Sequence, residues 1–389
     1  MYVKKVWLTA LSVALLVGVS GCSAGNGAPN PNAQIQTPNA VNSPPKEEAK
    51  AVTTQATVAA IGDILIHSSL YKDAQTANGG YDFRYQFELV KPYLLKPDLA
   101  IANQETMIGG VEVGLSDYPM FNSPYEVGDA LKDAGIDVVS IANNHSLDAG
   151  EKGIRSAIKH WNELGIPYVG VYESAEDQAK IRVVEKNGIK FAILSYTYGT
   201  NGIPVPEGKD YLINLIDPVK MKAAVREAKG MADVVIMNLH TGNEYQRLPS
   251  DEQKELVREM TKEGVDIVLG HHPHVLQPVE WIDNGDGRKS FVIYSLGNFI
   301  SGQDEIYREI GGILELEVEK VTKGDEKTIT LKNPAFLPVW THKRNWRQYK
   351  VIPLADVTPQ QLPKSKELYE EINAHMKQWV PELKNTMPK

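Results

Sequence analysis

The feature that most constrains the fold of this chain is a strand pattern that occurs four times. Each copy begins with Asp, continues through a short and mainly apolar run, and ends with Asn or His. Such a run is typical of a strand that is buried on both faces. In open α/β sheets ligands bind beyond the carboxyl ends of the strands, so the four ends are expected to converge. The copies begin at Asp98, Asp137, Asp233 and Asp266, and they end at Asn103, Asn143, His240 and His271.

The segments around these strands predict an α/β sheet flanked by helices, because several of them have amphipathic helical patterns. A first strand at residues 57–66 passes through Asp63 before it reaches His67. Ser123 is the predicted N-cap of a helix that ends at Gly135. After the fourth copy, strand-like segments without helices predict antiparallel pairing. Further helices are predicted at 152–164, 217–229, 251–263 and 359–379, and further strands at 167–171, 181–195 (a hairpin turned at 187–188), 291–300, 312–318 and 328–331.

The fourth copy runs into residues 270–274 (GHHPH), which place three imidazoles within four positions. Neutral imidazole is the commonest metal-ligand side chain, although a solvated polar turn would explain this segment taken alone. The other strand ends supply carboxylates, amides and more imidazoles, so the sequence predicts one common site. The candidate residues are Asp63, His67, Asn103, Glu105, Asn144, His145, His240, His271, His272 and His274.

These residue types predict a site for two divalent metal ions. Carboxylates, imidazoles and an amide without thiolates suit Zn, Mn or Fe(II) rather than a structural zinc. A carboxylate between histidines is typical of two-metal sites, whose ions lie ~3.5–4 Å apart. The chain has no GxSxG motif, no Walker loop and no GxGxxG after a strand, which disfavours the usual serine hydrolases and nucleotide-binding folds.

The N-terminal segment predicts an extracytoplasmic lipoprotein. Lys4 and Lys5 precede an apolar stretch at residues 6–19, and residues 19–22 read VSGC. An apolar residue and two small residues before Cys resemble a lipobox, in which Cys22 is acylated at the membrane. A plain secretory signal with an incidental cysteine is the alternative. Cys22 is the only cysteine of the chain, so an intramolecular disulfide is excluded.

Composition and patterning predict four segments along the chain. Residues 1–22 form the signal peptide, and residues 23–52, rich in Asn, Pro, Ala and Gly, form a flexible tether. Residues 53–355 form the main domain, and residues 356–389 form a helical C-terminal extension. The 389-residue chain is 42% hydrophobic, which is ample for one large α/β domain. With a net charge of −8, the chain lacks the excess of basic residues that is typical of nucleic-acid-binding proteins.

Several motifs, in order along residues 57–302, resemble the CapA family of capsule or poly-γ-glutamate synthesis proteins. The domain of that family is similar to calcineurin-like metallophosphoesterases. The resemblance implies a four-layer α/β metallophosphatase-like sandwich of mixed sheets flanked by helices. The motifs are GD (62–63), NxE (103–105), NNHSLDAG (143–150), His240 followed by Glu244 and Tyr245, GHHPHVLQPVE (270–280) and YSLGNF (294–299).

The same resemblance implies roles for individual residues. Asp63 would open the first metal site, Glu105 would stand where the bridging carboxylate stands, and Asn144 would be the amide ligand. His145 would be the acid that protonates the leaving group. His240, His272 and His274 would complete the metal shell, although either His271 or His272 can pair with His274. His67, Asn103, His271 and Glu244 are additional candidates for metal or substrate contacts.

Two functions remain open at this level. One is a lipid-anchored, metal-dependent hydrolase that acts on a phosphoester or an amide polymer bond at the cell envelope. The other is a non-catalytic metal-binding factor for assembly or export of an anionic envelope polymer. Membrane polymer-synthesis proteins are expected partners in either case. A substrate-binding lipoprotein of a transporter shares the lipid anchor and tether, but it does not require this set of histidines.

We predict that Cys22→Ser abolishes lipidation, because acylation needs the thiol and no other cysteine can replace it. The variant is expected to lose the lipid mass in mass spectrometry and to leave the membrane fraction. Ser23→Ala, outside the VSGC motif, is the matched control and should keep both. A Cys22→Ser protein that stays membrane-bound with the mass of lipidated wild type would contradict the prediction.

Overall fold

The computed structural model describes residues 50–385 together with Gly25 and Met387. The predicted signal segment, Cys22 and most of the predicted tether lie outside the described residues. Within the described ranges, no helix combines the length and the apolar composition that crossing a membrane requires.

The described strands alternate with helices in the first part of the chain and follow one another in the last part. The strands are β1 (Val52–Leu65), β2 (Leu99–Gln104), β3 (Val138–Ser140), β4 (Tyr168–Val169), β5 (Arg182–Lys186), β6 (Ile189–Thr197), β7 (Val234–His240), β8 (Ile267–His271), β9 (Leu276–Asp283), β10 (Lys289–Leu296), β11 (Asn298–Ser301), β12 (Ile310–Lys323), β13 (Glu326–Arg344) and β14 (Arg347–Pro353). The helices are α1 (Ser68–Asp73), α2 (Arg84–Phe87), α3 (Lys91–Leu95), α4 (Glu126–Ala134), α5 (Gly150–Leu164), α6 (Ala175–Gln178), α7 (Pro218–Met231), α8 (Asp251–Glu263) and α9 (Ser365–Met376). Short 3₁₀ helices cover Asp210–Leu212, Ile306–Arg308 and Leu354–Asp356.

The described strands form two mixed sheets. The first has eight strands in the order β14-β13-β12-β1-β2-β3-β4, with β11 also paired to β1. The second has six strands in the order β5-β6-β7-β8-β10-β9. β1 to β4 are parallel, whereas β12 to β14 pair antiparallel, as expected from the loss of helices in the last part of the chain. The expectation is wrong in part for residues 291–300, because β10 pairs parallel with β8 and β11 pairs parallel with β1.

Three hydrophobic clusters separate four layers. One cluster packs the first five helices against the outer face of the first sheet, and a second lies between the sheets. The third packs α7 and α8 against the outer face of the second sheet. Successive residues of β7 face opposite clusters, since Ile236 belongs to the second and Val235 to the third. The predicted α/β sandwich of mixed sheets flanked by helices is confirmed.

The Asp that opens each copy of the repeated pattern binds the neighbouring strand. Its carboxylate Oδ2 accepts a backbone N–H from the strand that precedes it in the sheet, which satisfies a donor at the strand start. The bonds run from Thr57 N to Asp98 (2.8 Å), from Ala100 N to Asp137 (2.8 Å), from Lys190 N to Asp233 (3.0 Å) and from Val235 N to Asp266 (2.8 Å). These bonds help set the register of the strands, and the register decides which side chains meet at the carboxyl ends.

The predicted strand at 291–300 is two strands, and its break transfers the chain between sheets. β10 belongs to the second sheet and β11 pairs with β1 in the first. Gly297, between them, has φ +64°, a conformation that favours glycine. Its carbonyl accepts the N–H of Asp63 at 2.9 Å, and a Cβ on Gly62 would lie only 1.9 Å from that carbonyl oxygen.

Two predicted helix boundaries are wrong for identifiable reasons. α4 begins at Glu126 with Tyr125 at the N-cap, because Ser123 instead binds Met107 O through its N–H and Thr106 Oγ1 through its hydroxyl. α9 covers Ser365–Met376 rather than residues 359–379. Pro363 disfavours a helical residue before it, and Lys364 adopts a left-handed φ of 61°. By contrast, α8 covers Asp251–Glu263 as predicted, with Ser250 as its N-cap and Gln253 completing a capping box.

We predict that Asp266→Ala lowers the free energy of unfolding by about 1–3 kcal/mol, because it leaves the buried N–H of Val235 without its acceptor. Denaturant unfolding of the purified variant measures this change. Asp325→Ala, in the exposed turn between β12 and β13, is the matched control and should change stability little. Equal stability of the two variants would contradict the role assigned to the Asp pattern.

Candidate metal centre

The carboxyl ends of β1, β2, β7 and β8 bring the predicted polar residues together. Asp63 pairs in register with Asn103 in the first sheet, and His240 pairs with His271 in the second. Asn103 Nδ2 donates to Asp63 Oδ1 at 2.8 Å and to His240 Nδ1 at 3.4 Å. Asn103 therefore joins the ends of the two sheets at the site.

Asp63 is fully buried among imidazoles. Its Oδ1 lies 3.4 Å from His271 Nδ1, and its Oδ2 lies 3.3 Å from His274 Nδ1. Burial alone would raise the pKa of Asp63, but the close imidazoles of His271 and His274 hold it well below its ordinary value. Asp63 is thus kept ionised, as a metal ligand must be.

Glu105, just after β2, lies between two histidines. Its Oε1 is 3.6 Å from His240 Nε2 and 3.8 Å from His274 Nε2. The residue is fully buried, and neither of its carboxylate oxygens has a hydrogen-bond partner among the described residues. Burial and the charge of Asp63 raise the pKa of Glu105 well above its usual range. Its oxygens lie within reach of the same potential ion as ligand atoms of Asp63 and His274.

Asn144 and His240 form a contact next to Glu105. His240 Nε2 donates to Asn144 Oδ1 at 2.7 Å, and Asn144 Nδ2 donates to Asn201 Oδ1 at 3.1 Å. Asn201 therefore fixes the amide so that its oxygen faces the site. Burial lowers the pKa of His240 well below its ordinary value, which keeps the ring neutral and suited to bind a metal.

The turn after β8 holds its histidines in an unusual backbone conformation. His272 has φ +99° and His274 has φ +58°, a region that costs energy for residues other than glycine. Burial and the charge of His274 lower the pKa of His272 to about 3. Burial would also lower the pKa of His274, but the carboxylates of Glu105 and Asp63 raise it to about 9. The two imidazoles of one turn thus have opposite charge preferences before any metal binds.

The described side chains fit divalent metal ions. One group, Asp63, Glu105 and His274, offers ligand atoms within 4.8 Å of one another, and a second consists of Glu244, His272 and His274. An ionised carboxylate buried without partners is costly, so the site has negative charge and lone pairs that a cation would satisfy. Buried atoms without a hydrogen-bond partner in the described structure include Asp63 Oδ2, both Glu105 oxygens, His271 Nδ1 and His272 Nδ1.

His145 stands beside the ligand group with one nitrogen already engaged. Its Nδ1 donates to Asp148 Oδ2 at 2.7 Å, and the same oxygen accepts the N–H of Phe121 at 2.7 Å. The Phe121 ring packs edge-on against the imidazole, with centroids 4.8 Å apart. These contacts fix the ring orientation and leave Nε2 as the nitrogen that Asp148 does not engage.

Two predicted residues occupy different surroundings from the central ligands. The N–H of Gly302 donates to His67 Nδ1 at 3.0 Å, and the His67 ring packs against Phe121 at the edge of the site. The two groups of potential metal ligands found among the described residues contain neither His67 nor His145, His240 and His271. His271 Nε2 lies 3.4 Å from Asn238 Oδ1, whereas His272 is grouped with His274 and the exposed Glu244.

Three residues of the site were not predicted individually. Asp148 orients His145, Asn201 holds Asn144, and Asn298 Oδ1 accepts from His274 Nδ1 at 3.0 Å. Asp148 lies three positions after His145 in the NNHSLDAG motif, and this spacing is a usable signal for a paired carboxylate. Asn298 lies within the YSLGNF motif. Asn201 lies in an exposed loop distant in sequence, where the residues provide no signal.

Residues 57–303 match the family model described as bacterial capsule synthesis protein PGA_cap. The chain belongs to the PGA_cap family. This match confirms the family predicted from the sequence motifs, and it covers every residue of the two potential metal-ligand groups.

Two relatives of this PGA_cap chain are named for capsule or PGA biosynthesis. This chain is 32% identical over 260 residues to the capsule biosynthesis protein CapA of Bacillus anthracis, and the alignment covers 64% of this chain and 60% of that protein. It is 28% identical over 302 residues to the PGA biosynthesis protein CapA of Bacillus subtilis, covering 75% of each. The NAD nucleotidase of Haemophilus influenzae superposes with a TM-score of 0.46 at 16% identity, covering 83% of this chain and 56% of that one.

We predict that Glu105→Gln and His240→Ala each lower the metal content of the purified protein. Loss of a neighbour that only orients a ligand already costs ~10–100-fold in affinity, and loss of a ligand itself should cost more. Elemental analysis measures the ions per chain, and circular dichroism checks the fold. His160→Ala, a half-buried histidine on α5, is the control and should retain the wild-type content. Unchanged metal in both site variants would contradict the assignment.

Proposed function

We propose that this chain is a lipid-anchored, extracytoplasmic hydrolase that acts on an anionic cell-envelope polymer or a phosphoester precursor. The observation that carries the proposal is the position of Glu105. Its buried carboxylate has no hydrogen-bond partner in the described structure and lies between His240 and His274. A fold gains no stability from such a group, since a buried carboxyl without a hydrogen-bond partner costs about 1–3 kcal/mol. A cation beside it would favour the ionised form.

Two divalent ions would balance this charge. Asp63, Glu105 and His274 would hold one, and Glu105 with Asn144, His240 and His272 would hold the other. When bound, divalent ions supply Lewis acidity that polarises a substrate oxyanion and makes water a better nucleophile. The chemistry of the donor set favours Zn, Mn or Fe over Mg or Ca, because it contains several imidazoles.

His145 is the group that would hold and deliver a proton. Asp148 binds its Nδ1 and stabilises the positive charge that develops when both nitrogens are protonated. The Nε2 proton can then pass to the oxygen or nitrogen of the leaving group. Asn144, the preceding residue, faces His240 instead, so neighbouring side chains have separate tasks.

The polymer and the partners are inferred from the relatives. One relative is named for capsule biosynthesis and another for PGA biosynthesis, which supports an envelope polymer as substrate. Anchoring through Cys22 would place the domain beside polymer-synthesis proteins of the membrane. A net charge of −8 fits a protein that works at an anionic surface without adhering to it.

A non-catalytic assembly or export factor is the second candidate. The limited access to the site favours it, since His145, His272 and His274 are only 6%, 4% and 3% exposed. A metal centre enclosed in this way could stabilise a binding surface rather than turn over a substrate. Turnover by the metal-loaded protein decides between the two.

We predict that His145→Asn keeps the fold and the metal content but lowers hydrolysis of phosphoesters or γ-linked glutamate polymers by roughly 10²–10⁴-fold. The reason is that an asparagine amide cannot replace the imidazole as a proton donor to the leaving group. Rates are measured with p-nitrophenyl phosphate and poly-γ-glutamate, with metal content measured on the same samples.

Two further variants sharpen this experiment. Asp148→Asn should lower the rate by less than His145→Asn, because it weakens the orientation of the imidazole without removing it. His160→Asn, away from the site, should hydrolyse both substrates at the wild-type rate. If the metal-loaded wild type hydrolyses neither and His145→Asn supports polymer production in cells, the hydrolase proposal fails and the assembly factor stands.

A further inference from the structure

The side chain of Arg308 is separated from the candidate metal centre by the ring of Tyr245. The guanidinium carbon of Arg308 is 3.7 Å from the centroid of the Tyr245 ring. The Tyr245 ring in turn lies 6.1 Å from the ring of His274, centroid to centroid. Neither Arg308 nor Tyr245 belongs to the ligand set, so this stacked pair has no task in holding a metal.

Both members of the pair are tied to the backbone and side chains that position His274. The N–H of Tyr245 donates to Pro273 O at 2.8 Å, which fixes the residue against the histidine turn. Asn298 Nδ2 donates to Arg308 O at 2.9 Å, while Asn298 Oδ1 accepts from His274 Nδ1. The spacing between the pair and the metal centre is therefore set by direct hydrogen bonds.

Arg308 remains available for an incoming anion. It pairs with Glu305 at 3.1 Å, but the side chains are 25% and 70% exposed, and such surface ion pairs contribute little. A guanidinium whose face stacks on a ring still directs its N–H groups outward in its own plane, where they can donate to an oxyanion. Arg247 also stacks on a tyrosine, Tyr307. Unlike Arg308, however, Arg247 forms a close ion pair of 2.6 Å with Glu371 of α9.

We infer that Arg308, stacked on Tyr245, forms an anion subsite for a second oxyanion of the substrate. The first oxyanion is the one held at the metal centre. This inference rests on the proposed function and adds to it a specificity-determining pair. The preferred ligand carries two linked oxyanions, either phosphates or carboxylates, and a ligand with one oxyanion gains nothing from the pair.

The test measures binding by calorimetry to the full-length protein loaded with Mn²⁺ or Zn²⁺. Fructose 1,6-bisphosphate and inorganic phosphate form the phosphate arm, and glutarate and acetate form the carboxylate arm. Fructose 1,6-bisphosphate and glutarate, which each carry two separate oxyanion groups, are the doubly anionic ligands. Arg308→Gln is expected to weaken binding of the doubly anionic ligands by about tenfold or more, as expected for loss of a charged hydrogen bond. Binding of inorganic phosphate and acetate should stay within about twofold of wild type. The arm that responds identifies the chemical source of the second oxyanion.

Matched variants separate the subsite from general effects of charge and folding. Arg226→Gln removes one positive charge from α7, where Arg226 pairs with Glu263, and should leave all ligands unaffected. Arg308→Lys keeps the charge without the planar stack and should recover part of the affinity. Tyr245→Leu keeps Arg308 but removes its platform and should weaken the same doubly anionic ligands. Thermal unfolding confirms that each variant is folded.

Each outcome decides the inference. Equal affinity of wild type and Arg308→Gln for both doubly anionic ligands overturns it, as does a parallel loss for inorganic phosphate or acetate. Failure of the wild type to bind either doubly anionic ligand also overturns it. If the wild type holds no metal but Arg308→Gln still weakens those ligands, the subsite stands and the metal proposal fails.

Discussion

The contact between Asp63 and Gly297 joins the two sheets where the site lies. The chain leaves the second sheet at β10, turns at Gly297 and pairs as β11 with β1 of the first sheet. The N–H of Asp63 donates to the Gly297 carbonyl, and no side chain fits at Gly62 without striking that oxygen. This close approach brings carboxylates from one sheet to histidines from the other. Ligands from two separate sheets can meet only if the backbones approach in this way.

The electrostatics of the assembled centre follow from burial of opposite charges in a small volume. Asp63 has a lowered pKa and Glu105 a raised pKa, although both are fully buried carboxylates. The difference arises because imidazoles surround Asp63, while Glu105 also experiences the charge of Asp63. Neighbouring carboxyl groups whose pKa values are shifted in opposite directions are characteristic of functional sites rather than of packed cores. A bound cation would relieve both effects by favouring ionised carboxylates and neutral imidazoles.

Around the centre, a layer of neutral amides and paired groups orients the reactive side chains. Asn298 orients His274, Asn201 orients Asn144, and Asp148 orients His145. Arg308 extends this layer outward, because Asn298 holds its backbone as well. The catalytic and specificity proposals therefore depend on the same few hydrogen bonds. Such supporting contacts are the usual means by which proteins fix the geometry of a metal site.

The sequence alone determined the α/β class, the strands that end in polar residues and the residues that form the two groups of potential metal ligands. Local patterns suffice for these features, because burial of a strand and the chemistry of a motif are written in neighbouring residues. Only the tertiary structure decided which residues orient the side chains of the site and how Arg308 pairs with Tyr245. It also decided the hydrogen bond that each repeated Asp accepts from the neighbouring strand. Asn201 lies far in sequence from Asn144, and Arg308 lies far in sequence from Tyr245. Such contacts arise from strand register and sheet packing, which short sequence patterns do not encode.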